Sequence, residues 1–139
     1  MASNEQSPLD TVLNFLESYS KRSVDGCMAA MAVSKPILLF GTNENEVFRT
    51  IDDVRQALTR DFGSMVNIRL GERRNTHVES SPTLASVIVE LPISFNNDEQ
   101  HVETLFRYAL TLTLEDDQWK ICSGMASVPF EAGTYSFTQ

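Results

Sequence analysis

Four side chains in this chain of 139 residues could act together on a bound small molecule: Tyr19, Asp61, Tyr108 and Ser123. A carboxylate held in a hollow can serve as a general base, and a hydroxyl can donate a hydrogen bond to an oxygen on which charge develops. Asp61 as base with Tyr108 as donor would suit proton transfer beside a carbonyl. Each residue also has a structural reading. The tyrosines can be core rings with satisfied hydroxyls, Asp61 a solvated helix-end carboxylate, and Ser123 a structural hydroxyl. Other chemistries lack their signatures. His77 and His101 fall in polar segments, and no His-x-His, Cys-x-x-Cys or Glu-x-x-His spacing occurs, so no metal site is expected. No Gly-x-Ser-x-Gly, no histidine near Cys27 or Cys122 and no phosphate-cradling glycine loop is present, so neither nucleophilic catalysis nor a cofactor is expected.

Composition limits the scaffold that must hold these residues. The length suits one domain, and 42% hydrophobic with 22% charged residues describes a globular chain. Eleven basic against 19 acidic residues give a formal charge of −8, which disfavours nucleic-acid binding. Arg69, Arg73 and Arg74 are interrupted by Glu72 and Glu79 and read as a solvated edge. The run Cys27 to Val33 is far shorter than the ~20 apolar residues of a membrane span. The opening Met1-Ala-Ser-Asn-Glu-Gln lacks the basic and apolar regions of a signal peptide, so a cytoplasmic protein with buried free thiols is expected.

The periodicity divides the chain in two. Ser7-Pro8-Leu9-Asp10 is a helix start, with Leu9, Val12, Leu13, Leu16 and Tyr19 on one stripe and Phe15 widening it. A second helix is expected over Val24 to Val33, capped by Ser23 and stopped by Pro36. A buried strand at Pro36 to Phe40 and a short one at Glu46 to Arg49 flank the turn Gly41 to Asn45. Thr50 caps a third helix whose face is Ile51, Val54, Leu58 and Phe62.

From Val66 the period becomes two. Val66, Ile68 and Leu70 alternate with polar residues, and this half-exposed strand is expected to bend at Gly71 and run to Val78. Ala85, Val87, Val89, Leu91, Ile93 and Phe95 form the buried face of the next strand, with a turn at Asn96-Asn97-Asp98. The following strand turns Phe106, Tyr108, Leu110, Leu112 and Leu114 to one face and Arg107, Ala109, Thr111 and Thr113 to the other. Strict alternation in the last strand puts Trp119, Ile121, Ser123, Met125 and Ser127 on one face, with Lys120, Cys122, Gly124, Ala126 and Val128 on the other. Arg107, alone in an apolar and threonine-rich strand, calls for Glu90 or Glu103 as a partner.

At Phe40-Gly41-Thr42, Val47-Phe48-Arg49-Thr50 and Trp119-Lys-Ile-Cys-Ser-Gly-Met-Ala-Ser-Val-Pro129 the chain resembles the nuclear transport factor 2-like superfamily, nearest its SnoaL-like branch. The resemblance covers about Leu9 to Pro129. It implies a cone-shaped α+β fold, three N-terminal helices packed on a strongly bent, mostly antiparallel sheet. Residues 1–6 would precede the domain at 7–130, and 131–139 would be a loosely held tail. Such folds serve isomerases, cyclases, dehydratases, epoxide hydrolases and noncatalytic association domains.

This chain departs from the pattern at the reactive positions. The ketosteroid isomerase base would fall within Ile37-Leu38-Leu39-Phe40, its donor tyrosine at Phe15, and its second donor around Arg107-Tyr108-Ala109. Thr50 stands where a glycine is usual, and Met125 where a late histidine is frequent. That exact activity is therefore not expected. The expected function is binding of a small hydrophobic ligand by Phe15, Tyr19, Phe40, Phe48, Phe62, Tyr108, Ser123 and Met125, with acid–base chemistry if any occurs. The alternative is an association module with a filled cavity. In similar folds the outer sheet face, here Arg107, Ala109, Thr111, Thr113, Cys122, Ala126 and Val128, pairs two subunits, so a homodimer is expected.

Overall fold

The computed structural model describes residues 6–134, so the expectations for residues 1–5 and 135–139 lie outside the described residues. Helix α1 spans Pro8–Ser20. Its start is a reciprocal cap, Asp10 N donating to Ser7 Oγ at 3.0 Å and Ser7 N to Asp10 Oδ2 at 3.1 Å. Helix α3, Ile51–Ser64, begins the same way with Thr50 and Asp53. Hydrogen bonds from the Arg49 and Thr50 amides hold the Asp53 carboxyl below the usual aspartate range. Between them lies α2, Val24–Met28.

Helix α2 is shorter than the expected Val24 to Val33, because the sheet captures the chain at its end. Ile121 N donates to Ala30 O at 2.8 Å and Ala32 N to Ile121 O at 2.9 Å, which commits these backbone groups to pairing. The two methionines at helical spacing keep their contacts regardless. Met31 is buried, and Met28 packs against the core.

The sheet contains β1 Leu38–Phe40, β2 Val47–Phe48, β3 Met65–Leu70, β4 Asn75–Ser80, β5 Leu84–Asn97, β6 Gln100–Glu115 and β7 Gln118–Ser127. Its order is β2-β1-β7-β6-β5-β3, with β4 also paired to β5. Every pairing is antiparallel except β1 with β7. The result is an α+β fold of three helices on an open, mostly antiparallel sheet. The strand expected to bend at Gly71 is instead two strands, both lying along β5. Gly71 N donates to Pro92 O at 2.7 Å and Arg74 N to Glu90 O at 2.8 Å across the gap.

Both long hairpins close in two residues. Asp98-Glu99 links β5 to β6, one step later than expected, because Asn96 and Asn97 remain paired with His101 and Gln100. Asp116 and Asp117, at φ 50° and 65°, link β6 to β7 in the left-handed conformation that matches strand twist. Arg107 Nε donates to Glu90 Oε2 at 2.7 Å, so Glu90 rather than Glu103 is its partner. The bonds from Arg107 and Asn75 hold the Glu90 carboxyl below the usual range.

Two bulges change which side chains share a face. In β7, Ser123 lies opposite Thr111 but Ile121 lies opposite Leu112, leaving Cys122 as an extra residue. Beyond it the alternation slips by one. Gly124 and Ala126 therefore join Leu110 and Tyr108 on the inner face, whereas Ser123 and Met125 join Thr111 and Ala109 outside, reversing the expected assignment. In β3 the register shifts between Val66 and Arg69, around Asn67 at φ 56°. Ile68 is thus buried while Val66 is exposed, although simple alternation puts them together.

Gly124 follows the β7 bulge at φ +139°, where an added Cβ would lie 2.2 Å from the Ala109 carbonyl oxygen. Both the dihedral and the backbone clash oppose any side chain. Gly124→Ala is expected to cost about 2 kcal/mol or more, read as a lower urea midpoint at unchanged slope.

Candidate functional site

The inner sheet face and the helices enclose a hollow of about 340 Å³, near the lower end of the ~300–1,000 Å³ usual for small-molecule sites. Helical spacing delivers two of its polar groups. Tyr19 lies one turn beyond buried Leu16 on α1, and Asp61 lies four and three residues beyond buried Ala57 and Leu58 on α3. The stripe that anchors each helix thus carries its last polar residue inward. Strand alternation delivers Tyr108 between Phe106 and Leu110. A fourth polar group, Glu46, comes from the β1–β2 turn, where its backbone carbonyl accepts from Gly41 N and its Oε1 from Asn43 N, each at 2.9 Å. Gly41 leaves room for it, since a Cβ there would lie 2.5 Å from Glu46 Oε1.

Tyr19 and Asp61 are joined directly. Tyr19 Oη donates to Asp61 Oδ2 at 2.9 Å and lies 3.5 Å from Met65 Sδ. Phe62 holds the Tyr19 ring edge-on, with centroids 5.0 Å apart. Burial raises the Asp61 carboxyl, the Tyr19 hydrogen bond opposes that rise, Glu46 adds to it and Arg60 opposes it. Burial first, and the Asp61 charge second, raise both Tyr19 and Tyr108 far above the ordinary phenol value. The tyrosines therefore remain neutral donors at any physiological pH. Tyr108 hydroxyl has no hydrogen-bond partner among the described residues, so its capacity faces the hollow unspent.

Six of the eight expected lining residues do line the hollow: Phe15, Tyr19, Phe40, Phe48, Tyr108 and Met125. Phe40 and Met125, partners across the parallel β1–β7 pair, are 42% and 47% exposed, which places them at its rim; Met125 lines it there although its register position is on the outer face. Phe62 is buried behind Tyr19 and does not line it. Neither does Ser123, which the β7 bulge turns to the outer face. Asp61 is not a solvated helix end; it lines the hollow beside Tyr19. Sequence reading missed Glu46, Met65, Phe95 and Phe106 as lining residues. Alternation could have found the two phenylalanines, which share Tyr108's face, but no local pattern marks Glu46.

The remaining reactive groups do not line the hollow. Cys27 and Cys122 are free and buried, and burial pushes the Cys27 thiol up to about 12. His77 and His101 are exposed beside Glu79 and Glu103. Among the described residues no cluster of histidine, cysteine or carboxylate side chains could hold a metal, and no helix is long and apolar enough to cross a membrane.

Comparison with known proteins agrees with this architecture. A proposed dehydratase of the nuclear transport factor 2-like family from Streptomyces avermitilis superposes with a TM-score of 0.78 at 14% identity, covering 87% of this chain and 92% of that one. A ketosteroid isomerase-like protein from Erwinia carotovora atroseptica gives 0.76 at 11% identity, covering 94% and 100%. A proposed calcium/calmodulin-dependent protein kinase type II association domain from Thiobacillus denitrificans gives 0.73 at 18%, covering 89% and 96%. At these identities the likeness is one of fold. The comparison with curated proteins found no match. The SnoaL-like domain family matches residues 9–131, nearly the whole of the described chain, and the protein belongs to that family.

Proposed function

We propose that the protein binds a small hydrophobic molecule in the aromatic hollow and performs acid–base chemistry on it. The observation that carries this reading is the Tyr19–Asp61 pair, a partly buried carboxylate fixed by one phenol and facing a second, unpartnered one. Asp61 takes a proton from carbon next to a carbonyl, and Tyr108 donates a hydrogen bond to the oxygen where the charge collects. Tyr19 occupies Asp61 Oδ2 and leaves Oδ1, which accepts from no described residue, as the basic atom. A hydroxyl donor on a largely apolar wall is worth more than in open water, because less solvent competes for the charge it stabilises.

Thermal-shift screening of steroids, polyketides and aromatic ketones tests this. A binder at a hundred times its Kd stabilises the fold by ~2.7 kcal/mol. Tyr108→Phe is expected to weaken a carbonyl ligand about three- to tenfold, the worth of one hydrogen bond. A screen in which no compound raises the midpoint would sink the reading.

Asp61 also gives a stability signature. Its folded value lies above the ordinary 3.8, so the group costs nothing while protonated in both states and destabilises the fold as pH rises through that folded value. Asp61→Asn keeps an acceptor for Tyr19 and removes the charge. The variant should match wild type near pH ~3 and become the more stable of the two by pH ~7. Equal midpoints across that range would show the carboxylate is not strained.

A second reading, association through the outer sheet face, rests on a separate observation. Ile88, Ala109 and Met125 are register partners across β5, β6 and β7, and all three are exposed. An apolar row crossing three strands suits a second copy of the chain. Sedimentation should give a dimer at micromolar concentration and a monomer for Ile88→Asp. A wild-type monomer would remove this reading.

A further inference from the structure

The hollow has a sign as well as a shape. Among the described residues its ionisable lining is Tyr19, Glu46, Asp61 and Tyr108, with no lysine, arginine or histidine. None of the four can carry a positive charge. Arg60 acts on Asp61 electrostatically but does not reach the hollow. Seven of the lining residues are aromatic, and the faces of such rings attract cations.

We infer that the ligand is a small hydrophobic amine bound as its ammonium ion, and that the hollow rejects carboxylic acids of the same shape. This rests on the reading that the hollow binds a small molecule. Two carboxylates each keep one oxygen that accepts from no described residue: Asp61 Oδ1, since Tyr19 takes Oδ2, and Glu46 Oε2, since Asn43 takes Oε1. An ammonium N–H donated to Glu46 Oε2 leaves Asp61 Oδ1 free to act as the base, while the Asp61 charge still attracts the cation.

The electrostatics favour the same occupant. Glu46 and burial both work against ionised Asp61, and among the described lining residues only the Tyr19 hydrogen bond supports its charge. A cation relieves that repulsion, whereas an anion adds to it. A neutral ligand draws on the aromatic walls and on hydrogen bonds, without this charge attraction. The formal charge of −8 on the whole chain adds a long-range pull on cations.

Calorimetry with three probes of one shape tests the inference: 1-naphthylmethylamine, 1-naphthylmethanol and 1-naphthoic acid at neutral pH. The amine should bind at least tenfold tighter than the alcohol, with the acid weakest. Glu46→Gln and Asp61→Asn should each weaken the amine several-fold more than the alcohol, which narrows the gap between the two. Unfolding midpoints for both variants establish that they fold. Equal affinity for amine and alcohol, or a preference for the acid, would overturn the charge selectivity and leave a neutral-ligand pocket standing. Failure of all three probes would overturn both the selectivity and the reading it rests on.

Discussion

The ladder between β5 and β6 is the constraint on which the rest depends. All 14 residues of β5 pair with β6, so one long face of apolar side chains is set by alternation alone. Val87, Val89, Leu91 and Ile93 on that face are almost wholly buried, each worth ~1.5–3 kcal/mol when removed from water. A face of that kind has to be covered, and the stripes of α1 and α3 cover it. The cover is incomplete because aromatic rings replace aliphatic side chains toward one end. There Phe95, Phe106 and Tyr108 from the sheet meet Phe15 and Tyr19 from α1, and large rigid rings stand around a space that smaller side chains would have collapsed into.

How much of this was legible follows from how local each signal is. The caps at Ser7 and Thr50 and the alternation of β5 and β6 are written in neighbouring residues, and they specify the elements, the order and the fold. The bulge at Cys122 is not written locally, since a strand that keeps its alternation and one that slips by a residue share composition. Only pairing with β6 reveals it, and it decides that Ser123 leaves the site and Ala126 enters. A partial hint existed in both bulges. Gly124 and Asn67 are residue types that tolerate positive φ, and each sits at or next to a register shift. The end of α2 was hidden for a different reason: Met28 and Met31 reach the core from a helix or from an extended chain alike.

The site itself was half legible. Asp61 and Tyr19 were visible as candidates from helical spacing, but their meeting depends on where the sheet holds the C-terminal ends of α1 and α3, a tertiary fact. Glu46 was invisible because a turn of polar residues gives no direction to its side chains. Its effect on Asp61 is nevertheless one of the forces that sets the site's character, since it opposes ionisation from across the hollow.

Resemblance to ketosteroid isomerases directs attention to the first strand and to Phe15, where this chain offers no acid and no hydroxyl. A conical hollow does not require its base on any one wall, because several elements converge on the same volume. Here the carboxylates on the lining come from α3 and the β1–β2 turn, and the phenols come from α1 and β6, with Tyr108 lying within the Arg107-Tyr108-Ala109 stretch where the resemblance places a second donor, an acid in ketosteroid isomerases. Replacing an acid there by a phenol changes more than the donor. An acid on β6 must be kept protonated to donate, at the cost of a raised carboxyl, whereas a buried phenol is neutral without help. The carboxylates that remain on the lining among the described residues are Asp61 and Glu46, and no lysine, arginine or histidine of those residues stands beside them.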